Sequence, residues 1–200
     1  MKQINKYICD HFENDKFSIL GHLENPNFSI VERLRINKDI GNYYNYHPTT
    51  RDELKELVDK LIKERGNNAD LNDIDTSKIT DMTGLFFYSN FNGDISKWNV
   101  SNVTNMRCMF AHSKFNGDIS NWDVSNVKTM GCMFYNTKFT GENGDISYWD
   151  VSNDECMTCM FYKSKFGGDI SKWDVGNVKN MEGIFLQSPL EKNPPKWYKK

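Results

Sequence analysis

The chain has 200 residues, of which 38% are hydrophobic and 26% charged, and its formal net charge is −2 at pH 7. This size favours one domain, or one repeat array with a small cap. The near-neutral charge argues against a general binder of nucleic acid or anionic membranes. No apolar run approaches the roughly 18 residues that a membrane-spanning helix needs, so we expect no membrane insertion. Since the N-terminus lacks the pattern of a secretory signal, we expect a cytoplasmic chain as written, or a cell-surface protein if a leader is missing.

The N-terminal third divides into two segments with different patterns. Residues 1–49 contain scattered apolar groups that do not specify a structure. Residues 50–66 begin with the capping-box sequence Thr50-Arg-Asp-Glu53 and end at Gly66, a residue typical of helix C-termini. Apolar residues follow at helical spacing between them, at Leu54, Leu57, Val58, Leu61 and Ile62. The pattern predicts an amphipathic capping helix over residues 50–66.

The rest of the chain, residues 67–200, is a tandem repeat marked by tryptophan. The tryptophans are Trp98, Trp122, Trp149, Trp173 and Trp197, and successive steps are 24, 27, 24 and 24 residues. An insertion, Thr140-Gly141-Glu142, accounts for the longer step, while a degenerate copy precedes the full copies and a half copy follows them. A period in this range predicts a solenoid whose copies share one interior.

The spacing inside one copy predicts its local structure. Trp98 and Val100 are two residues apart, which places both on one face of a short strand. Met106, Met109 and Phe110 have the spacing of one face of a helical turn. We therefore expect an α/β solenoid, a leucine-rich-repeat-like right-handed coil with a short parallel β-sheet and one helical turn per 24-residue repeat. The predicted core comprises Trp98, Trp122, Trp149, Trp173, Met106, Met130, Met157, Met181, Phe110, Phe134, Phe161 and Phe185.

The C-terminal half copy is predicted to close the array. Pro194 and Pro195 cannot donate hydrogen bonds to an added strand, and lysines charge the exposed edge around them. We therefore expect a monomer with a C-terminal half-repeat cap.

Cysteine and aspartate each recur at one position of the repeat, and both columns have a structural interpretation. Cys108, Cys132 and Cys159 hold one repeat position, where the flanking copies have glycine, so packing thiols are favoured over oxidation or a soft-metal site. The aspartates that precede each strand recur at Asp70, Asp94, Asp118, Asp145 and Asp169, and turn capping is favoured over calcium binding. No metal site and no cofactor are predicted.

Two neighbouring columns point outward and are the candidate binding surface. The position before each tryptophan varies between repeats, whereas the position after it is mostly aspartate. Variable side chains on a rigid repeated face are how repeat proteins build specificity. The candidate partner-binding residues are Lys97, Asn99, Asn121, Asp123, Tyr148, Asp150, Lys172 and Asp174. A weaker candidate set is Tyr88, His112, Asn136 and Lys163.

The repeated runs resemble a known family. Phe-Asn-Gly-Asp-Ile-Ser-Lys-Trp-Asn-Val-Ser-Asn-Val-Thr-Asn-Met, together with Met-x-x-Met-Phe, is similar to the BspA-like bacterial surface-protein repeat, or mycoplasma lipoprotein-type repeat, over about residues 67–188. The resemblance implies tandem repeats with a leucine-rich-repeat-like layout and roles in adhesion and protein–protein contact, and members also occur in mobile elements and viruses. Asp154 departs from the pattern, because other copies have valine there.

The function that these observations predict is binding without catalysis. The spacing of the four histidines matches no catalytic motif, and no phosphate loop, dinucleotide fingerprint or nucleophile elbow occurs. We expect a protein–protein interaction module with an unidentified protein partner. One alternative is an inhibitor that mimics nucleic acid through its acidic column, whose binding should collapse in rising salt. Another alternative is a surface adhesin with a missing leader.

Overall fold

The computed structural model describes residues 44–199. Most of the segment predicted over residues 1–49 lies outside the described residues. The helix predicted over residues 50–66 is α1, Arg51–Arg65, flanked by Thr50 and Gly66. It begins where the Thr50 hydroxyl accepts a hydrogen bond from the Glu53 amide at 3.2 Å. It ends at Gly66, whose left-handed φ of 90° suits a residue without a Cβ atom.

Helix α1 closes the first end of the repeat region. Its apolar side chains Leu54, Val58 and Leu61 are fully buried in the same hydrophobic core as the repeats. On its polar side, the Arg51 guanidinium donates two hydrogen bonds to the Thr83 carbonyl, at 3.0 and 2.9 Å. The helix therefore covers both apolar side chains and a backbone acceptor that would otherwise have no partner at this end.

Five repeats follow α1 in the described part of the chain. They are residues 67–90, 91–114, 115–138, 139–165 and 166–189, which we number repeats 1 to 5. A short 3₁₀ helix, Pro189–Glu191, then leads into the half copy.

The predicted α/β solenoid with a parallel β-sheet is wrong. Within residues 44–199 the repeats are joined by isolated parallel bridges, such as Asn105 with Thr129, and no sheet is formed. The reason lies in the local backbone, since the expected strand around the tryptophan is broken into two turns. The Trp98 amide bonds to the Ile95 carbonyl at 3.1 Å, and the Val103 amide bonds to the Val100 carbonyl at 2.9 Å. A chain that turns every three residues cannot remain extended long enough to form a ladder.

The predicted helical turn is also wrong. Two residues in every repeat have a left-handed backbone, exemplified by Cys108 with φ 55° and His112 with φ 58°. A right-handed helix cannot contain such residues, so this part of each repeat is a run of β-turns. The amides of Met109, Ala111 and Ser113 each bond to the carbonyl three residues earlier, at 3.1–3.2 Å. We call these stretches the turn segments, and they are residues 81–89, 105–113, 129–137, 156–164 and 180–188.

A regular set of backbone hydrogen bonds joins each turn segment to the next one. In repeat 2 the amides at positions 106, 108, 110 and 112 donate to carbonyls 129, 131, 133 and 135, at 2.8–3.0 Å. The same four positions donate at each of the four junctions between repeats 1 and 5. Alternate amides thus bond within the repeat or to its neighbour. This division leaves the backbone satisfied without a helix or a sheet.

Aromatic side chains fill the interior. Phe110 and Phe134 stack across one junction with ring centroids 5.8 Å apart, and Phe110 also stacks on Phe115 of the next repeat at 4.2 Å. The same contacts recur along the repeats, and the four predicted core tryptophans are each only 4% exposed. All the predicted core side chains are buried except Met181, which is partly buried. The prediction of a shared apolar interior is therefore confirmed.

Each tryptophan also carries a polar bond. The indole N–H of Trp122 donates to the Ile95 carbonyl of the preceding repeat at 3.2 Å. The equivalent bond is made at the other four tryptophans, Trp98, Trp149, Trp173 and Trp197. A buried indole N–H needs such an acceptor, so this contact explains why tryptophan marks the period.

Asp154 is the exception in the interior. It is fully buried, its Oδ1 accepts a hydrogen bond from the Cys156 amide at 2.7 Å, and its Oδ2 has no partner. Burial raises the pKa of this carboxyl group to about 7, because the charged form loses its hydration. The backbone hydrogen bond opposes this shift without cancelling it.

Candidate interaction surface

The eight predicted partner-binding residues lie on the surface, and we call them the display face. All of them are exposed: Lys97, Asn99, Asn121, Asp123, Tyr148, Asp150, Lys172 and Asp174. In each repeat one member precedes a buried tryptophan and the other follows it, so the pair brackets a fixed interior residue. The buried indole therefore fixes the position of the two outward side chains.

The aspartates of the display face are oriented by local turns. Oδ1 of Asp123 accepts hydrogen bonds from the Ser125 amide at 3.1 Å and from the Ser125 hydroxyl at 2.6 Å. Asn99, Asp150 and Asp174 make the same bond to the amide two residues on. These bonds use only one of the two carboxylate oxygens of Asp123. The second oxygen, Oδ2, is left for solvent or a partner.

In two repeats the turn hydrogen bonds lower the pKa of an aspartate. Hydrogen bonds from the Ser152 side chain and backbone lower the pKa of Asp150, because they stabilise the carboxylate. Asp169, in the column that precedes the turn, has a lowered pKa for the same reason, with Ser171 as the donor. Turn capping thus accounts for both acidic columns.

The variable row of the display face has one prominent aromatic side chain. Tyr148 is 78% exposed, and the ammonium group of Lys172 in the next repeat lies 5.0 Å from its ring centroid. This cation–π contact is the one direct interaction found between members of the display face in the described residues. The row otherwise consists of separate side chains at regular intervals.

An asparagine ladder fixes the spacing between repeats beside the display face. The Asn126 side-chain amide donates to the Ser101 carbonyl of the preceding repeat at 2.8 Å. Asn102, Asn153 and Asn177 make the equivalent bond at 2.7–2.8 Å. These four bonds tie each repeat to the preceding one at the same position beside the display face.

A second exposed surface is larger than the sequence indicated. Tyr88 stacks on His112 with ring centroids 4.4 Å apart, and Tyr135 stacks on Tyr162 at 4.9 Å. His112 links the two pairs through its contact with Tyr135 at 5.0 Å. Phe87, which is 47% exposed, extends this aromatic ridge at one end through its contacts with Tyr88 at 4.6 Å and His112 at 5.9 Å.

The sequence pattern gave only part of the ridge. Tyr88 and His112 belonged to the weaker candidate set, whereas Tyr135 and Tyr162 were not identified. They precede the second left-handed residue of their turn segments, which are Asn136 and Lys163. Asparagine adopts a left-handed backbone more readily than most residues, so Asn136 before Thr137 was the available signal for this conformation. Lys163 occupies the equivalent position in repeat 4 and gives no such signal.

The cysteine column is compatible with packing and gives no sign of a metal site. Cys108, Cys132 and Cys159 are partly buried free thiols with left-handed backbones. Burial, together with the neighbouring Cys108 and Cys159 thiols, raises the pKa of Cys132 to about 11, so the thiol is uncharged at neutral pH. Within residues 44–199, no group of three or more histidine, cysteine or acidic side chains is arranged to hold a metal ion.

None of the helices in the described part of the chain is long and apolar enough to cross a membrane.

Comparison with known proteins identifies a family for the repeats. A family model described as "Mycoplasma protein of unknown function, DUF285" matches residues 53–165 and again residues 138–198. No curated protein and no solved structure shows significant similarity to the chain. The two matches run from within α1 through all five repeats into the half copy, and the resemblance to BspA-like surface repeats is supported at the level of this related family. The chain is therefore a repeat protein that belongs to the DUF285 family.

Proposed function

We propose that this protein is a non-catalytic module that binds a partner protein through the display face. The observation that carries the proposal is the contrast within each repeat around the tryptophan. The backbone, the indole hydrogen bond and the asparagine ladder are the same from repeat to repeat, while the outward row changes from Lys97 to Asn121, Tyr148 and Lys172. A varied row on a constant support is the arrangement that gives repeat proteins their specificity.

The energetics support binding through this row. Side chains held by a rigid backbone lose little conformational entropy when a partner docks. Tyr148 supplies the large amphipathic surface that dominates many protein interfaces, and Asp150 follows it two residues later with a carboxylate oriented by Ser152. Tyr148 and Asp150 are therefore expected to contribute most to affinity.

The test compares two exposed tyrosines on different surfaces. The wild-type protein, a Tyr148→Ala, Asp150→Ala double variant and a Tyr88→Ala control are each used to capture proteins from cell extract. Tyr88 is 66% exposed and lies on the aromatic ridge, so the control removes a similar side chain elsewhere. The proposal expects a partner that is captured by the wild type and the control but lost by the double variant. Equal recovery with all three proteins would remove the display face from consideration.

The acidic columns favour a second candidate function, mimicry of nucleic acid. Asp150 and Asp169 have lowered pKa values and lie on the exposed side of their repeats. If the partner is a nucleic-acid-binding enzyme, affinity should fall steeply as salt rises, because charge pairs would supply most of the binding energy. A weak salt dependence would favour the mixed polar contact of the display face instead.

The relation of the family to BspA-like repeats favours cell-surface adhesion as one setting for such binding. Protease treatment of intact producing cells tests this setting. Cleavage of the protein on unbroken cells would support a surface location, and complete protection would support the cytoplasmic location expected from the sequence.

A further inference from the structure

Three free thiols occupy equivalent positions in successive repeats. Cys108, Cys132 and Cys159 are the first left-handed residues of repeats 2, 3 and 4, with φ of 55°, 58° and 53°. The same position is glycine in repeats 1 and 5, at Gly84 and Gly183. All three cysteines are partly buried and therefore keep some exposure to solvent. We call Cys108, Cys132 and Cys159 the thiol column.

Backbone hydrogen bonds hold the thiol column in register. The Cys108 amide donates to the Gly131 carbonyl at 2.9 Å, and the Cys132 amide donates to the Thr158 carbonyl at 2.8 Å. Parallel chains joined in this way lie about 4.8 Å apart. Two cysteines can be linked when their Cα atoms are about 4.4–6.8 Å apart. Adjacent members of the column meet this requirement, whereas Cys108 and Cys159 are separated by two such steps and do not.

The side chains of the column point from one repeat to the next. Cys132 Sγ contacts the Thr158 carbonyl of repeat 4 at 3.7 Å, directly before Cys159. One repeat further on, a Cβ atom at Gly183 would lie only 3.2 Å from Cys159 Sγ. Burial and the thiols of Cys108 and Cys159 together raise the pKa of Cys132 to about 11, a coupling that requires close thiols. Cys132 therefore has a neighbouring thiol on each side.

We propose that the thiol column is an oxidation site at which Cys132 forms a single disulfide, with either Cys108 or Cys159, by reaction with a small disulfide such as oxidised glutathione. A column thiolate attacks one sulfur of glutathione disulfide, whose S–S bond breaks and releases the first glutathione. The neighbouring thiolate then attacks the protein-bound sulfur, so the protein disulfide forms and the second glutathione leaves. Two protein thiols are oxidised, glutathione disulfide is reduced, and the two protons end on the two glutathione thiols.

The oxidised and reduced states of the column have different consequences. The reduced thiols pack between repeats, which is the interpretation that the sequence favours. The disulfide ties repeat 3 covalently to a neighbour and restricts the unfolded chain, so the oxidised protein should unfold at a higher urea concentration. Since only a thiolate attacks, the raised pKa of Cys132 makes oxidation slow at neutral pH and faster in mildly alkaline buffer.

Peptide mapping of the native, full-length protein locates the bond. The protein is incubated with glutathione disulfide in mildly alkaline buffer, its remaining thiols are blocked, and it is digested with trypsin for mass spectrometry. Trypsin places the three column cysteines in separate peptides, which are residues 108–114, 129–138 and 139–163. The proposal expects peptide 129–138 to be linked to one or the other of its neighbours.

Two cysteines outside the column are removed in a parallel protein. Cys156 shares peptide 139–163 with Cys159, and Cys9 lies outside the described residues. A Cys9→Ser, Cys156→Ser variant therefore contains the column thiols alone. Oxidation should reduce its free thiols from three to one, and its urea midpoint should rise and then return when the bond is reduced.

Three matched substitutions in this variant test the central position of Cys132. Cys108→Ser and Cys159→Ser each leave an adjacent pair, so both remaining thiols should be lost on oxidation. Cys132→Ser leaves two thiols that are two repeats apart, and both should stay free. Circular dichroism checks that each variant folds. The peptide map of the wild-type protein tests the proposal without any substitution.

Several results would overturn the proposal. One is a link between peptides 108–114 and 139–163 in the variant that lacks Cys9 and Cys156, and another is equal thiol loss in all three matched variants. A third is attachment of glutathione without any protein disulfide. A fourth is a disulfide that forms only in urea, or only between chains when labelled and unlabelled proteins are mixed. The test involves no partner and no display-face residue, so its failure is distinguishable from failure of the proposed function.

Discussion

The interior and the outer surface of the repeats use their residues in opposite ways. At the position of Phe110, repeats 1 to 5 all have phenylalanine, and every one of these rings is at most 2% exposed. At the position of Lys97, the same five repeats have aspartate, lysine, asparagine, tyrosine and lysine, and four of the five are exposed. Stacked rings 5.5–6.1 Å apart leave no room for a different shape, whereas solvent accepts any polar side chain.

The comparison distinguishes the residues that stabilise the repeats from the residues that could contact a partner. A change inside should alter stability, because it opens a cavity or changes the burial of a polar group. A change outside should leave stability nearly unaltered and affect only binding. Asp154, an acidic residue on the inside, is the natural test of this rule.

The largest effect is expected from truncation of a stacked ring. Phe134→Ala removes contacts with Phe110, Phe139 and Phe161 and should lower the free energy of unfolding by about 3–5 kcal/mol. Urea denaturation followed by circular dichroism measures this loss. Tyr148→Ala, the matched aromatic truncation outside, should change it by no more than about 0.5 kcal/mol. Similar losses in both variants would contradict the distinction between the two regions.

The second effect comes from the buried carboxyl group. Because the pKa of Asp154 is raised to about 7 in the folded protein, the folded state binds more protons than the unfolded state between about pH 4 and pH 7. Stability from this group is therefore greatest at low pH and falls as pH rises through that window. Asp154→Asn should stabilise the protein at pH 8 by a few kcal/mol, with the gain about 3 kcal/mol smaller at pH 5.

Asp150, four residues before Asp154, has a pKa shift of the opposite sign. Its pKa is lowered by the hydrogen bonds from Ser152, so its contribution to stability is present above the unfolded pKa and is lost as pH falls through the folded value. Asp150→Asn should therefore have no stabilising effect at pH 8. Thermal melts of both variants at pH 5 and pH 8 decide the point. A gain from Asp150→Asn, or none from Asp154→Asn, would count against the assignment of inside and outside.

A smaller effect is expected from removal of one indole hydrogen bond. Trp122→Phe keeps an aromatic ring in the interior but leaves the Ile95 carbonyl without its donor. The cost should be about 1–3 kcal/mol, the penalty for an unsatisfied buried polar group together with a small cavity. The urea midpoint measures it. An unchanged midpoint would mean that the tryptophan is there for its size alone.

The smallest effect sharpens the boundary between the two regions. Asn126→Ala removes the 2.8 Å bond to the Ser101 carbonyl and should cost about 0.5–1.5 kcal/mol. Asn121→Ala, five residues earlier on the display face, removes no hydrogen bond found in the described residues and should cost nothing measurable. A calorimetric comparison of the two melting temperatures distinguishes them. Equal temperatures would remove the asparagine ladder as a source of rigidity.

The sequence predicted the features that depend on composition and spacing. Residue identity alone marked the helix that became α1 and the buried phenylalanines. It did not predict the backbone of the repeats, because Met106, Met109 and Phe110 face inward with the same spacing in a helical turn and in a run of β-turns. The left-handed backbone of Cys108 and His112 distinguishes the run of β-turns from the helical turn. The identity of neither residue predicts that conformation.

The surfaces were predictable to different degrees. The display-face residues are adjacent in sequence to buried tryptophans. Their exposure was therefore predictable even though the predicted strand is wrong. The aromatic ridge depends on the outward turn before Asn136 and Lys163.

The most direct test of the account is detection of the hydrogen bonds between repeats. Scalar couplings through hydrogen bonds, measured by NMR on the labelled protein, connect an amide nitrogen to the carbonyl carbon that accepts from it. The account predicts couplings from Met106, Cys108 and Phe110 to Thr129, Gly131 and Met133 respectively. Couplings from these amides to carbonyls four residues earlier, as in a helix, would contradict it.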